Sequence, residues 1–131
     1  MTALLDTSFL LAAAFERDQN HVVAATALRN LTSGRLVASP VEIELFFMVS
    51  ARISYDRAMA LFAFEIIDLT INDRQRMHEI MKQYRDARLD IADVAQLTLA
   101  ERLNITRIYT FDRRDFSLFR PTHCDYLELL P

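Results

Sequence analysis

Four acidic residues, spread along the chain, are candidates for one site: Asp6, Glu44, Asp93 and Asp112. Carboxylates that gather without cationic partners repel one another and raise one another's pKa. A divalent cation relieves this repulsion, and oxygen ligands with no His or Cys beside them suit Mg²⁺ or Mn²⁺. Because Mg²⁺ keeps several of its waters, a few carboxylates suffice to hold it, and a bound water can attack a phosphodiester. If the four acids meet, they therefore predict a site for a divalent cation.

Three of these acids also have a structural explanation. Asp6 precedes a helix that begins near Thr7, and Asp is among the preferred N-cap residues. Asp112 can open a short turn in the segment DRRD. Asp93 stands in the first turn of a helix, whose dipole favours an acid by about 0.3–1 kcal/mol. Asp90, one turn earlier, is the expected N-cap of that helix, which leaves Asp93 free to face a site.

The segment SPVEIELFFMVSA predicts a helix that carries two glutamates with different roles. Ser39 suits the N-cap, Pro40 suits the first helical position, and Glu42 is placed to complete a capping box. Glu44 has no capping role and shares a helix face with apolar residues such as Phe47. We therefore expect Glu42 to be structural and Glu44 to be functional.

Short apolar segments alternate with segments of helical periodicity. This alternation predicts a three-layer α/β/α sandwich with a short, mainly parallel central sheet. The predicted strands are ALL, RLVAS, EIIDLT, TRIYTF and CDYLELL. The predicted helices are TSFLLAAAF, HVVAATALRNL, SPVEIELFFMVSA, YDRAMALFAF, residues 72–85 and DIADVAQLTLAERLN.

In such sheets a ligand binds beyond the carboxyl ends of the strands. Asp6 follows the first strand and Asp112 follows the strand RIYT, so both acids are expected at the same edge. The last two long helices should pack through apolar stripes. These stripes are Met77, Ile80, Met81 and Tyr84 in residues 72–85, and Ile91, Ala95, Leu99 and Leu103 in the next helix.

Length and composition are typical of one globular domain, residues 1–131, with 52% hydrophobic and 25% charged residues. Cys124 is the single cysteine, which excludes an intrachain disulfide and fits a reducing cytosol. No apolar run is long enough to span a membrane, and no secretory signal is recognisable, so a cytoplasmic protein is expected. The net charge of −3 provides no general attraction to nucleic acid. For an RNA substrate, local arginines or bound cations would have to supply it.

The order of several segments resembles one protein family over nearly the whole chain. LLDTSFLLA resembles an opening strand with a first acidic motif, and VASPVEIELFFMV resembles a helix bearing the second acid. LDIADVAQLTLAERLNITRIYTFDRRDF is the most distinctive stretch, and YLELLP fits a last strand. The chain resembles PIN-domain ribonucleases, and among them the VapC toxins of bacterial toxin–antitoxin pairs.

This resemblance implies a PIN-like fold and an Mg²⁺- or Mn²⁺-dependent endoribonuclease, which is usually a homodimer silenced by a VapB antitoxin. It places the catalytic and metal-binding acids at Asp6, Glu44, Asp93 and Asp112. Asp90 is a departure, because relatives often have a small residue there. Which of Asp90 and Asp93 lies nearer the metal stays open; we favour Asp93, because the apolar helix that follows aligns from it.

Several other side chains are candidates for contacts to phosphate or to metal-bound water. Thr7, Ser8 and Thr110 can donate hydrogen bonds there, with turn or capping roles as the alternative. Arg113 and Arg114 can bind RNA phosphates, with a solvated surface role as the alternative.

A non-catalytic module is the alternative function: the acidic pocket would hold a structural cation or an arginine of a partner protein. Phenylalanines in two predicted helices either belong to the core or form a surface for a second copy or an antitoxin. These are Phe46, Phe47, Phe62 and Phe64.

Overall fold

The computed structural model describes residues 2–31, 34–61 and 63–131. The strands in these ranges are β1 (Thr2–Leu5), β2 (Arg35–Ala38), β3 (Glu65–Ile66), β4 (Arg107–Tyr109) and β5 (Glu128–Leu130). They form one sheet in the order β3-β2-β1-β4-β5, and every neighbouring pair is parallel. The predicted parallel sheet is confirmed.

Helices connect these strands. They are α1 (Thr7–Ala14), α2 (His21–Asn30), α3 (Glu42–Arg52), α4 (Tyr55–Leu61), α5 (Ile71–Gln83), α6 (Ile91–Arg102) and α7 (Arg114–Leu118). A 3₁₀ turn at Arg85–Ala87 separates α5 from α6.

The helices cover both faces of the sheet, because successive side chains of a strand point to opposite faces. Leu4 of β1 belongs to a core that includes Ile80 of α5 and Val94 of α6. Leu5, the next residue, belongs to a second core with Phe9 of α1. The structure is therefore the three-layer α/β/α sandwich that the sequence predicts.

The chain changes direction across the sheet at β1. From β1 it adds β2 and β3 on one side, and later β4 and β5 on the other. Leu5 pairs with Tyr109, and the backbone N–H of Asp6 donates to the Tyr109 carbonyl at 3.0 Å. The carboxyl ends of β1 and β4 therefore meet at the point where parallel α/β sheets usually bind ligands.

Helix α6 is the most buried helix of this edge: all residues from 93 to 100 are buried. Ala95 and Leu99 of the predicted apolar stripe are buried, as expected. The prediction that Ile91 packs as part of the apolar stripe is wrong, because its side chain is 64% exposed. It is the first residue of the helix, where neither α5 nor the sheet covers it.

The predicted capping box of α3 is wrong. The chain enters this helix through a tight turn, in which the backbone N–H of Glu42 donates to the Ser39 carbonyl at 3.1 Å. That N–H is therefore not free for the Ser39 hydroxyl, which is buried without a hydrogen-bond partner among the described residues. A capping box is present at α5, where Thr70 and Asp73 exchange side chain to backbone bonds of 3.1 and 2.8 Å.

No helix within the described ranges is both long and apolar enough to cross a bilayer. Of the phenylalanines considered for a surface, Phe47 is exposed, whereas Phe46 and Phe64 are partly buried. Phe62 lies outside the described residues.

Substitution of Thr70 and of Ser39 tests how α5 and α3 begin. Thr70→Ala should lower the free energy of unfolding by about 1 kcal/mol, because it removes a side-chain cap. Ser39→Ala should change it by less than about 0.5 kcal/mol, because the Ser39 hydroxyl has no hydrogen bond within the described chain. Urea unfolding of both variants measures the difference. Equal losses would show that Ser39 does cap α3.

Candidate active site

Asp6 is the most firmly held acid of the sheet edge. Its side chain does not cap α1. One carboxylate oxygen, Oδ2, accepts hydrogen bonds from Ser8 Oγ at 2.8 Å and from Thr110 Oγ1 at 2.7 Å. The other oxygen, Oδ1, accepts a bond from Gln96 Nε2 of α6. Asp6 is therefore buried among neutral donors that come from α1, α6 and the end of β4.

Asp93 is buried at the first turn of α6, beside a second buried acid, Asp115 of α7. As the sequence predicts, Asp90 is the N-cap: its Oδ1 accepts from the backbone N–H of Ala92 at 2.8 Å. The backbone N–H of Asp90 donates to Asp115 Oδ2 at 2.8 Å, and Arg114 donates to Asp115 Oδ1 at 2.7 Å. Asp115 thus links α7 to the start of α6.

The structure brings Glu42 of α3, rather than Glu44, to the other acids. Glu42 is fully buried, and its Oε1 accepts a 2.7 Å hydrogen bond from the Thr7 hydroxyl, next to Asp6. Glu44 is exposed. Residues two apart on a helix are rotated by about 200°, so only one of the two can face the sheet edge. The expected placement of Glu44 is therefore corrected: the entry turn of α3 directs Glu42 inward.

A cleft of about 390 Å³ is lined by Asp6 and Asp93, whereas Glu42 is not part of its lining. Asp112 is exposed at its rim, and its backbone N–H donates to Thr110 Oγ1 at 3.0 Å. The residues that line the cleft are Asp6, Thr7, Ser8, Val41, Asp90, Ala92, Asp93 and Asp112.

The predicted phosphate contacts are mostly used within the protein. Thr7, Ser8 and Thr110 donate to the buried acids, as described above. Arg113 donates to the carbonyl of Pro131 at 2.9 Å, and Arg114 forms a salt bridge with Asp115. These five side chains therefore stabilise the fold and the positions of the buried acids.

Two acids at this edge have a raised pKa, so each keeps its proton to a higher pH than a free carboxyl group does. Burial raises the pKa of Glu42 to about 7; its bond from Thr7 opposes this shift, and the charge of Asp6 adds to it. Burial is also the largest cause that raises the pKa of Asp93 to about 8. A hydrogen bond shared with Asp115 and the charges of Asp6, Asp115 and Asp112 raise it further. No positively charged neighbour in the described part of the chain is among the causes that set the pKa of either acid.

A hydrated divalent cation fits this deficit. Within the described ranges, the salt bridges include none to Asp6, Glu42, Asp93 or Asp112, and Glu42 Oε2 is buried without a hydrogen-bond partner. In the same ranges, no three His, Cys, Asp or Glu side chains are grouped so as to hold a metal ion by themselves. Mg²⁺ does not need such a cage, because it usually binds one or two carboxylates, several waters and substrate phosphates.

Sequence reasoning missed Gln96 and Asp115. Gln96 lies three residues after Asp93, on the same face of α6. This spacing is the sequence signal that indicates a position near the site. Asp115 lies three residues after Asp112 and was included only as part of the segment DRRD. Its burial depends on how α7 packs against the start of α6, which periodicity does not predict.

Comparison with known proteins identifies one family. A model of the PIN domain family matches residues 3–120. Ribonuclease VapC26 of Mycobacterium tuberculosis is 30% identical over 124 residues, which cover 90% of this chain and 92% of that protein.

The solved structures with a similar fold include two from bacteria. Mycobacterium tuberculosis VapC20, a Sarcin-Ricin loop cleaving toxin, has a TM-score of 0.69 at 18% identity, over 85% of this chain and 90% of that chain. VapBC2 from Rickettsia felis, bound to a DNA fragment from its promoter, has a TM-score of 0.66 at 18% identity, over 98% and 97% of the chains.

An α/β/α sandwich with acids gathered at the carboxyl edge of β1 and β4 is the architecture of a PIN domain. The chain belongs to the PIN domain family. The resemblance seen in the sequence to VapC toxins is confirmed by these relatives.

The raised pKa values predict how stability depends on pH in the absence of metal. Because folding raises the pKa of Glu42 and Asp93, the folded protein binds more protons than the unfolded chain above their ordinary values of 4.5 and 3.8. The free energy of unfolding should therefore fall as the pH rises towards about 7 and 8. Urea unfolding in EDTA between about pH 4 and pH 8 measures this loss.

Substitution of single acids identifies the carboxyl groups that cause this pH dependence of stability. Asp93→Asn should flatten most of the pH dependence, because the amide is neutral throughout. The matched control is Glu44→Gln, which removes the same charge at an exposed position and should leave the profile unchanged. Mg²⁺ should restore stability more at about pH 8 than at about pH 5, because carboxylates must lose their protons to bind it. A stability that rises with pH in EDTA would contradict this account.

Proposed function

We propose that this protein is the endoribonuclease toxin of a toxin–antitoxin pair and that it cleaves RNA with Mg²⁺ or Mn²⁺. The observation that supports this function is the set of acids that, in the described part of the chain, lack cationic partners at the cleft of a PIN domain. The relative VapC26 is named a ribonuclease, and VapC20 cleaves the Sarcin-Ricin loop.

In this proposal Asp6, Glu42, Asp93 and Asp112 are the catalytic and metal-holding acids, with Glu42 in place of Glu44. A bound cation supplies an activated water and stabilises negative charge on the phosphate. Ser8, Thr110 and Gln96 keep the Asp6 carboxylate from rotating, because they engage both of its oxygens.

The partner in this proposal is a VapB-like antitoxin, and the active form is a cytoplasmic homodimer. The similar structures include the VapBC2 assembly from Rickettsia felis and a toxin–antitoxin complex from Klebsiella pneumoniae. The second of these has a TM-score of 0.67 at 23% identity, over 89% of this chain and 92% of that chain.

Metal dependence is the first test. Purified protein without antitoxin should cleave cellular RNA with Mg²⁺ or Mn²⁺, and EDTA should abolish the cleavage. Asp6→Ala and Asp93→Asn should each reduce the rate by about two orders of magnitude or more, because each removes a carboxylate that faces the cation. Gel analysis of RNA products with mapping of their 5′ ends measures the activity. No cleavage with either metal would favour the non-catalytic binding module.

The two glutamates of α3 provide the second test. Glu42→Gln keeps the size of the buried side chain but removes its charge, so it should cost most of the activity. Glu44→Gln makes the same chemical change at an exposed position and should retain activity within about twofold. Initial cleavage rates of folded variants, with folding checked by thermal melting, decide between them. An inactive Glu44→Gln beside an active Glu42→Gln would restore the original assignment.

A further inference from the structure

One face of α5 and the turn after it carries basic side chains that have no partner in the described part of the chain. Arg74, His78 and Lys82 are spaced by four residues, so they lie along one face of the helix, and all three are exposed. Other basic side chains near them are paired: Arg76 with Glu101 and Arg102 with Asp73. Among the described residues, these side chains form no hydrogen bond or ion pair: Arg74, His78, Lys82, Arg85 and Arg88.

This basic face borders a groove of about 310 Å³ that is lined by Arg74, Met77, His78, Met81 and Ile91. Met77 and Met81 are partly buried against the core, so they form a fixed apolar floor. Ile91, at 64% exposure, forms an apolar wall that nothing in the described chain covers. The groove thus combines an apolar surface with cationic and hydrogen-bond donating groups at its rim.

The groove adjoins the acidic cleft at the start of α6. Ile91 lines the groove, and its two sequence neighbours, Asp90 and Ala92, line the cleft. A ligand that occupies both would therefore pass from the carboxylates directly to the apolar floor. This continuity places the groove within reach of a ligand that is held at the carboxylates.

We propose that this groove binds the nucleotide next to the scissile phosphate of a single-stranded RNA; the proposal rests on the proposed function. The base lies against Met77, Met81 and Ile91, and Arg74, His78 and Lys82 contact the neighbouring phosphates. Single-stranded RNA is the occupant that fits, because an unstacked base presents an apolar face and a polyanionic backbone at once. The basic rim also offsets the repulsion between RNA and the acidic cleft.

Binding of RNA to an inactive protein tests the phosphate contacts. The probe is a short, labelled single-stranded RNA of mixed sequence, with Mg²⁺ and the Asp93→Asn variant as background. Adding Arg74→Glu and Lys82→Glu should weaken binding by about tenfold or more in fluorescence anisotropy. It should also reduce the slope of log affinity against log salt by roughly 0.7 for each phosphate that the variant no longer neutralises.

The matched control adds Arg17→Glu and Arg57→Glu. These arginines are exposed, line a pocket away from α6, and give the same change in net charge. The control should bind RNA within roughly twofold of its background, because screening weakens distant charges. Ile91→Ser in the same background should lower affinity without changing the salt slope, because it removes contact with the base and no charge. Thermal melting checks that all variants fold.

Cleavage kinetics separate this inference from the proposed function. In otherwise unchanged protein, Arg74→Glu with Lys82→Glu should raise KM and leave kcat unchanged. If the unchanged protein cleaves RNA but the α5 variants match it in KM, affinity and salt slope, the groove proposal is wrong and the proposed function stands. Equal losses in the control would show a mere effect of net charge and would also overturn it. The groove proposal would also be wrong if the α5 variants dissociated a dimer of this protein but bound RNA normally. If the unchanged protein cleaves no RNA, the proposed function fails, whatever the anisotropy shows.

Discussion

The structure depends on one buried carboxylate, Asp6, at the junction of β1 and β4. Donors from three places meet on it: Ser8 of α1, Thr110 after β4 and Gln96 of α6. Each donor satisfies a lone pair, which a buried carboxylate requires, but none of them carries a positive charge. Both oxygens of the Asp6 carboxylate are therefore hydrogen-bonded, while its negative charge has no cationic partner among the described residues.

The uncompensated charge of Asp6 contributes to the raised pKa of two neighbouring acids. Burial is the largest cause of the raised pKa of both Glu42 and Asp93, and the charge of Asp6 adds to it in both cases. A structural cluster would normally recruit an arginine, as Arg114 does for Asp115 a few residues away. The core of the site has no such partner in the described chain, so its folding is favoured by protons or by a cation. Stability at this edge is given up for a set of carboxylates without a cationic partner among the described residues, which is what the proposed metal site requires.

Much of the fold could be predicted from the sequence because its signals are local. The apolar strands, the parallel sheet and the N-cap at Asp90 follow from periodicity and helix-end chemistry. The choice between Glu42 and Glu44 depends on the turn that leads into α3. A Ser-Pro start with an acid three residues after the serine satisfies the capping rule, yet the backbone carbonyl of Ser39 takes the N–H that the rule assigns to its side chain. The burial of Asp115 depends on tertiary packing, which leaves no periodic signal.

Charge also explains why arginines near the acids and arginines away from them have different roles. Arg113 and Arg114 follow β4, but their guanidinium groups are engaged by Pro131, Asp115 and the carbonyl of Ala87. These contacts orient both guanidinium groups; Asp115 compensates the charge of Arg114, whereas the carbonyl that Arg113 contacts carries no net charge.

In a chain of net charge −3, a phosphate approaching the cleft is repelled by every acid that a cation does not neutralise. In the proposed function, binding of metal and binding of RNA therefore assist each other at this edge. Unpaired basic groups are useful only where they lie beside the acids rather than among them, because among the acids they would take the place of the cation. The exposed face of α5 meets that condition, because its groove joins the cleft at Ile91.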